Sequence, residues 1–181
     1  TFVPTFLTIP YIGTSKTFLL FALLLNVVCA LYFLLSRKNG LRNTITAILI
    51  FVLLLIPIND SYAFWKTNIV YEGESLYNYL QVEETDNSVI LSTNVAFGVQ
   101  SIYKKDGSLS GYYYEYALMA PYFIEDMSAE KELDVLVLGL GTGTYPKQMK
   151  KYIPNVEIDA VEIDQKIADL AYEYFNLQED E

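Results

Sequence analysis

The stretch VLVLGLGTGT, Val135 to Thr144, decides the fold, because an apolar run leads directly into three glycines at alternate positions. Such a run, extended back to Leu133, is typical of a buried strand that ends at Leu138. After the glycines a helical spacing of apolar residues begins at Tyr145, with Thr144 as the candidate helix cap. The stretch therefore predicts a strand, a tight turn and a helix.

The same order of elements repeats once along the chain. A second strand is predicted from Val156 to Val161, and a second helix with one apolar face comes after it. That face consists of Ile167, Leu170, Ala171, Tyr174 and Phe175. The β-α-β-α order is the first half of a Rossmann-like parallel sheet, so the fold class is α/β. Two strands cannot bury both faces of a sheet, so we expect this region, residues 123 to 181, to be incomplete.

Ahead of this region, residues 66 to 122 contain short β-prone runs separated by turn residues. The predicted strands cover Tyr77 to Glu83, Val89 to Leu91 and Val95 to Tyr103. They predict a small antiparallel sheet of hairpins. The aromatic segment GYYYEYALMAP, Gly111 to Pro121, predicts a helix or turn that packs this sheet against the β-α-β-α region.

Residues 1 to 65 have the composition of membrane-spanning helices. Thr17 to Ser36 contains 20 residues without a charge, and at about 1.5 Å per residue such a helix crosses a hydrocarbon core of roughly 30 Å. Asn43 to Asn59 is a second uncharged run, of 17 residues. Residues 1 to 15 resemble the tail of an earlier span. Together with the incomplete parallel sheet, this predicts a chain that is truncated at both ends. The alternative for these runs is a pair of helices buried in a soluble core.

Charge divides the chain into two unlike parts. Residues 1 to 65 have a net charge of +3, and the whole chain has −10, so the remaining residues carry −13. Nucleic acid is a poor partner for an acidic region, because neutralising phosphates takes clustered Lys and Arg. The chain has no His and one Cys, Cys29, so no metal site is expected.

The turn Gly139, Gly141 and Gly143 places backbone amides beside the positive end of a helix dipole, where an anionic group is stabilised. Thr144 occupies the place of the third glycine of the dinucleotide fingerprint, so a pyrophosphate cofactor is disfavoured. With Glu162 at the end of the next strand to accept ribose hydroxyls, the spacing favours a nucleoside without phosphates. S-adenosylmethionine and its decarboxylated form are such ligands. Alternatively, the glycines serve only a tight turn and Glu162 is a solvated strand end.

Five motifs in this order resemble the spermidine synthases (polyamine aminopropyltransferases), in particular the membrane-fused members of that family. They are ESLYNYLQV, FGVQSIY, GYYYEYALMAP, VLVLGLGTGT and VEID, and the resemblance covers roughly residues 68 to 177. It implies a membrane-anchored transferase that moves an aminopropyl group from decarboxylated S-adenosylmethionine to a polyamine. No tightly bound cofactor is implied. The implied partners are membrane lipid, a small-molecule nucleoside and a polyamine, with homo-oligomers a possibility.

The resemblance also implies roles for individual residues. Tyr113 would lie near the amine acceptor. The nucleoside contacts would be Asn78, Gln100, Tyr114, Gly139, Gly141, Thr142, Gly143 and Glu162. Three of these depart from the family pattern: Asn78 replaces a Gln, Tyr114 replaces a His or Gln, and Thr142 replaces an Asp that faces the substrate amine. The family's catalytic aspartate comes after its fourth strand, so we expect catalytic residues beyond residue 181.

Two other functions fit the same residues. A methyltransferase would use S-adenosylmethionine itself, since the glycine turn and Glu162 serve both nucleosides. A non-catalytic domain could instead sense a nucleoside or polyamine for a transporter formed by the spans. We expect a multi-pass protein of the cell membrane. The basic hinge at Arg37, Lys38 and Arg42 favours an external soluble part, whereas a nucleoside made in the cytoplasm favours a cytoplasmic one, so the side stays open.

Overall fold

The computed structural model describes residues 2–35, 40–56, 61, 66–94, 98–128 and 130–178. The chain forms two compact units, Thr1–Tyr62 and Ala63–Glu181. The first unit is helical, and its two longest helices pack against each other. Its elements are a π-helical turn Pro4–Thr8, α1 Ile9–Ile12, α2 Thr14–Leu35 and α3 Gly40–Leu54.

Helix α2 is long and apolar enough to cross a membrane. Its 22 residues extend about 33 Å, and no residue of its most apolar stretch is buried. Helix α3 has 15 residues, or about 22 Å, which is short for a membrane span. Within the described part of the chain, α2 is therefore the one helix with the length and composition of a span. The predicted second span ends at Asn59, and its last residues, 57–59, lie outside the described residues.

The second unit begins with a four-stranded antiparallel sheet in the order β1-β2-β3-β4. Its strands are β1 Ile69–Glu74, β2 Tyr79–Glu84, β3 Ser88–Thr93 and β4 Val99–Lys104. The predicted hairpins are confirmed, since β2 pairs with β3 and β3 with β4. Strand β1 was not predicted, and the predicted start of the last strand, residues 95–97, lies outside the described residues.

A 3-10 helix, Tyr113–Phe123, leads from this sheet to a β-α-β-α unit. That unit consists of β5 Leu133–Leu138, α4 Thr144–Tyr152, β6 Val156–Val161 and α5 Gln165–Tyr174. Strands β5 and β6 are parallel and in register from end to end, as predicted. The predicted cap of α4 is wrong: Gly143 is the N-cap, and its left-handed φ of 72° ends the turn before the helix begins.

Helices α4 and α5 belong to two separate apolar cores. The predicted apolar face of α5 is buried against the antiparallel sheet, with Tyr174 half-buried, whereas α4 packs on the smaller core. The core under α5 is formed by Leu80, Val82, Val89, Leu91, Ile167, Leu170 and Phe175. The core under α4 is formed by Leu118, Leu133, Met149 and Ile153. Residues far apart in sequence are therefore held together by burial of apolar surface.

Truncation of the α5 core should destabilise the second unit. Leu170 is 0% exposed, so we expect Leu170→Ala to lower the free energy of unfolding by about 2–5 kcal/mol through lost burial and a residual cavity. Leu109→Ala is the matched control, because Leu109 is 45% exposed and its truncation should cost less than about 0.5 kcal/mol. Urea unfolding of the full chain, monitored by circular dichroism, measures both values. Equal losses in the two variants would contradict this assignment of the core.

Candidate functional site

The glycine turn is held at the carboxyl end of β6. The amides of Gly139 and Leu140 both donate to the carbonyl of Val161, at 2.8 and 3.0 Å. Gly139 and Gly141 have left-handed φ angles of 91° and 59°, which side chains other than hydrogen rarely allow. The sequence folds into this turn because glycine occupies each position where the backbone takes a positive φ.

The three glycines differ in the space that a side chain would have at each position. A Cβ atom built on Gly139 or Gly141 would meet no atom within 4 Å, whereas one on Gly143 would meet Leu177 Cδ1 at 2.5 Å. Gly143 is thus required both by its backbone and by packing against the segment after α5. The space beside Gly139 and Gly141 is open, and a ligand could approach the backbone there.

The Glu162 carboxylate is hydrogen-bonded to this turn. One oxygen accepts the amide of Gly141 at 2.8 Å, and the other accepts the amide of Asp164 at 3.0 Å. Glu162 is half-buried, and a carboxylate has about four acceptor positions, so further hydrogen bonds from hydroxyl groups can be accepted. The structure therefore brings together Glu162 and Gly141, two of the residues predicted to bind a nucleoside.

Thr142 occupies a position that differs from the expectation. Its side chain is 1% exposed, and its hydroxyl lies 2.5 Å from Ser101 Oγ and 3.1 Å from Thr144 Oγ1. Ser101 belongs to β4, so this buried hydroxyl cluster joins the antiparallel sheet to the glycine turn. Because the hydroxyl faces the interior, a predicted ligand contact at Thr142 is left to its backbone.

Asn78 and Gln100 lie on the antiparallel sheet. The Asn78 amide donates to Asp164 Oδ2 at 3.2 Å, and its oxygen accepts from Asn94 at 2.9 Å. Gln100 is exposed and lies where the β3–β4 register shifts, a bulge that turns the strand locally. Their predicted nucleoside contacts stay predictions.

Tyr113 and Tyr114 belong to a cluster of three tyrosines with Tyr112, whose ring centroids lie 5.6–5.8 Å apart. The Tyr114 hydroxyl accepts from the amide of Ile102 at 3.0 Å and donates to its carbonyl at 3.1 Å. Tyr114 thus satisfies backbone groups on the edge strand β4. Tyr113 is 65% exposed, and its predicted role near the acceptor amine stays a prediction.

Glu115 was not singled out in the sequence, yet it is a buried acid that links the 3-10 helix to α4. It is 8% exposed and accepts hydrogen bonds from the amides of Ser110 and Gly111, the Ser110 hydroxyl and Gln148 Nε2, at 2.6–2.9 Å. Burial alone would raise the pKa of Glu115, but hydrogen bonds from Ser110, Gln148 and Gly111 outweigh it and lower the pKa below its ordinary value. Glu115 is therefore ionised at neutral pH, and its carboxylate holds α4 in place through the hydrogen bond from Gln148.

The antiparallel sheet and the parallel β-α-β unit, whose glycine turn is hydrogen-bonded to the acid that follows the second parallel strand, make this a mixed α/β protein. No protein-family model matches the sequence. The chain is 45% identical over 146 residues to a Bifidobacterium longum (strain NCC 2705) protein named probable polyamine aminopropyl transferase, covering 81% of this chain and 32% of that protein. It is 27% identical over 137 residues to the polyamine aminopropyltransferase of Vibrio vulnificus (strain CMCP6), covering 75% of this chain and 45% of that one.

The chain belongs to the spermidine synthase (polyamine aminopropyltransferase) family. It spans less than half the length of the two curated relatives it matches. The crystal structure of a probable spermidine synthase from Corynebacterium glutamicum ATCC 13032 aligns with a TM-score of 0.49 and 20% identity, over 62% of this chain and 42% of that chain.

The hydrogen bonds to Glu115 should stabilise the second unit by an amount that decreases at acidic pH. Because the folded-state pKa lies below the ordinary value of 4.5, this contribution is present above that pH and is lost as the pH falls through the folded-state pKa. We expect Glu115→Gln to cost about 1–3 kcal/mol at pH 7 and less as the pH falls below 4.5. Unfolding free energies measured from pH 3 to 7 test this.

Glu132→Gln is the control for this series, since Glu132 is an exposed acid close to β5. Its effect should be within about 0.5 kcal/mol at every pH. A difference between wild type and Glu115→Gln that stays constant down to pH 3 would contradict the role given to the Glu115 carboxylate.

Proposed function

We propose that this chain is part of a membrane-anchored aminopropyltransferase that binds decarboxylated S-adenosylmethionine at the glycine turn and transfers its aminopropyl group to a polyamine. In such a transfer, a neutral amine attacks the methylene carbon beside the sulfonium, and a carbon–nitrogen bond forms. The carbon–sulfur bond breaks, sulfur leaves as the thioether of 5'-methylthioadenosine, and the attacking nitrogen loses a proton.

The observation that carries this proposal is the placement of the Glu162 carboxylate. It lies beside the open backbone at Gly139 and Gly141, and its hydrogen bonds to two amides fix its orientation before a ligand arrives. Ribose hydroxyls would use its remaining acceptor positions. Ile163, the next residue, is 73% exposed and offers an apolar surface next to the carboxylate for a nucleobase.

The acidic character of residues 66 to 181 supports a cationic substrate. These residues carry a net charge of −13, and a field of that sign raises the local concentration of polyamines, which are cations. The aminopropyl end of the donor is an ammonium group as well, whereas S-adenosylmethionine carries an additional carboxylate. The field therefore favours the decarboxylated donor over S-adenosylmethionine.

Helix α2 supports the membrane attachment. It combines the length of a span with an apolar surface of which no residue in the most apolar stretch is buried. Such a surface is stable in lipid and costly in water. We propose that α2 crosses the cell membrane, with α3 beside it.

Nucleoside binding tests the proposed site. We expect Glu162→Gln to raise the Kd for 5'-methylthioadenosine about 10- to 100-fold in the full protein, because hydrogen bonds to a charged acceptor are worth about 1.5–3 kcal/mol each. Glu157→Gln is the matched control, because Glu157 is an exposed acid on β6, the strand that directly precedes Glu162, and it should leave the Kd unchanged. Isothermal titration calorimetry measures both.

The same titration separates the competing functions. Tighter binding of decarboxylated S-adenosylmethionine than of S-adenosylmethionine supports the aminopropyltransferase, and the reverse order supports a methyltransferase. A wild-type protein that binds none of these nucleosides would rule out the site.

The single cysteine tests the membrane proposal. Cys29 lies in α2 with its side chain at the surface of the unit. A membrane-impermeant maleimide should leave Cys29 unmodified in open membrane sheets and modify it fully once SDS dissolves the bilayer, because the polar reagent does not enter hydrocarbon. As the control, Ser108→Cys in a Cys29→Ala background should react without SDS, since Ser108 is exposed in the second unit. Equal reaction rates for the two thiols in membranes would refute the span.

A further inference from the structure

Asp164 is a buried acid where the β6–α5 connection meets the antiparallel sheet. It is 2% exposed, and its Oδ2 atom accepts from Ser75 Oγ at 2.5 Å and from Asn78 Nδ2 at 3.2 Å. Its Oδ1 atom accepts the amide of Lys166 at 3.1 Å and so caps α5. One carboxylate thus joins the β1–β2 turn to the start of α5.

The surroundings of Asp164 place hydrogen-bond donors against its carboxylate. Ser75 Oγ already accepts the amides of Tyr77 and Asn78, at 3.1 and 2.9 Å. Its hydroxyl hydrogen is therefore donated either to Asp164 Oδ2 at 2.5 Å, the shorter contact, or to the Asn78 carbonyl at 3.2 Å. The oxygen of the Asn78 amide accepts from Asn94, which leaves its NH₂ group to face Asp164. Two donors therefore converge on one carboxylate oxygen and the Lys166 amide on the other, so an amide side chain in place of Asp164 would set its NH₂ group against a donor, and an apolar side chain would accept from none of them.

Asp164 is also connected to the predicted ribose acid. Its own amide donates to Glu162 Oε1 at 3.0 Å, and the other Glu162 oxygen accepts from Gly141 at 2.8 Å. A continuous series of hydrogen bonds therefore runs from Ser75 on the antiparallel sheet, through Asp164 and Glu162, to the glycine turn.

We propose that Asp164, held by Ser75, is a positioning residue that fixes the orientation of the Glu162 carboxylate for a nucleoside. The inference rests on the proposed function, because it assumes that Glu162 binds the ribose. It also changes the role of Asn78: both ends of its side chain are used within the series, so Asn78 acts by holding Asp164 rather than by contacting the nucleoside. A residue that merely capped α5 would affect folding and leave the affinity of folded protein unchanged.

Asp164→Asn and Ser75→Ala test this in the full protein. Either orientation of the Asn amide sets its NH₂ group against a donor, whereas Ser75→Ala removes one donor and leaves the cap of α5 intact. We expect each variant to raise the Kd for 5'-methylthioadenosine about tenfold, with unchanged binding stoichiometry, since a small misplacement of a binding group is costly. The double variant should be no worse than Asp164→Asn alone, because both act through the same bond.

Asp169→Asn is the matched control, since Asp169 is an exposed acid on the same helix and loses the same charge. Its Kd should equal that of wild type. A lower melting temperature with an unchanged Kd in Asp164→Asn and Ser75→Ala would overturn the positioning role. If Glu162→Gln weakens binding in the same experiment, that result leaves the proposed function standing. A wild-type protein that does not bind the nucleoside would overturn both.

Discussion

The packing of α5 against the antiparallel sheet is the interaction on which the second unit depends. Leu170 and Phe175 pack against apolar side chains of β2 and β3. Because α5 follows β6 in the chain, this packing attaches the parallel strands to a sheet with which they share no strand pairing. Apolar burial supplies the attraction but little direction. A packed helix alone would leave the side chains at the junction free to adopt several arrangements.

Buried polar contacts supply that direction. Ser75 meets Asp164, Ser101 meets Thr142, and Glu115 meets Gln148, and each pair joins an element before β5 to the unit that begins with β5. Buried polar groups are costly unless their partners are placed correctly, so these pairs favour one docking geometry over its neighbours. The glycine turn and Glu162 are connected to the first two pairs, because Glu162 accepts from the amides of Asp164 and Gly141, and Thr142 follows Gly141.

Sequence reasoning located the parts of this arrangement that depend on local pattern. Apolar runs gave the bounds of β5 and β6, and the parallel β-α-β order brought Glu162 to Gly141 across 21 positions. Strand β1 was missed because its sequence, IVYEGE, lacks the alternation of apolar and polar residues that indicates a half-buried strand. Ser75 and Asp164 lie 89 residues apart, in the motifs ESLYNYLQV and VEID, but their contact depends on how α5 docks, which no local spacing encodes. For the same reason the buried position of the Thr142 hydroxyl could not be foreseen.

A structure of the full-length protein with 5'-methylthioadenosine bound tests the central claim most directly. Both ribose hydroxyls should lie within about 3.2 Å of the Glu162 carboxylate, while the amides of Gly141 and Asp164 keep their hydrogen bonds to it. A nucleoside bound away from the glycine turn, or a Glu162 carboxylate turned away from the ribose, would contradict it.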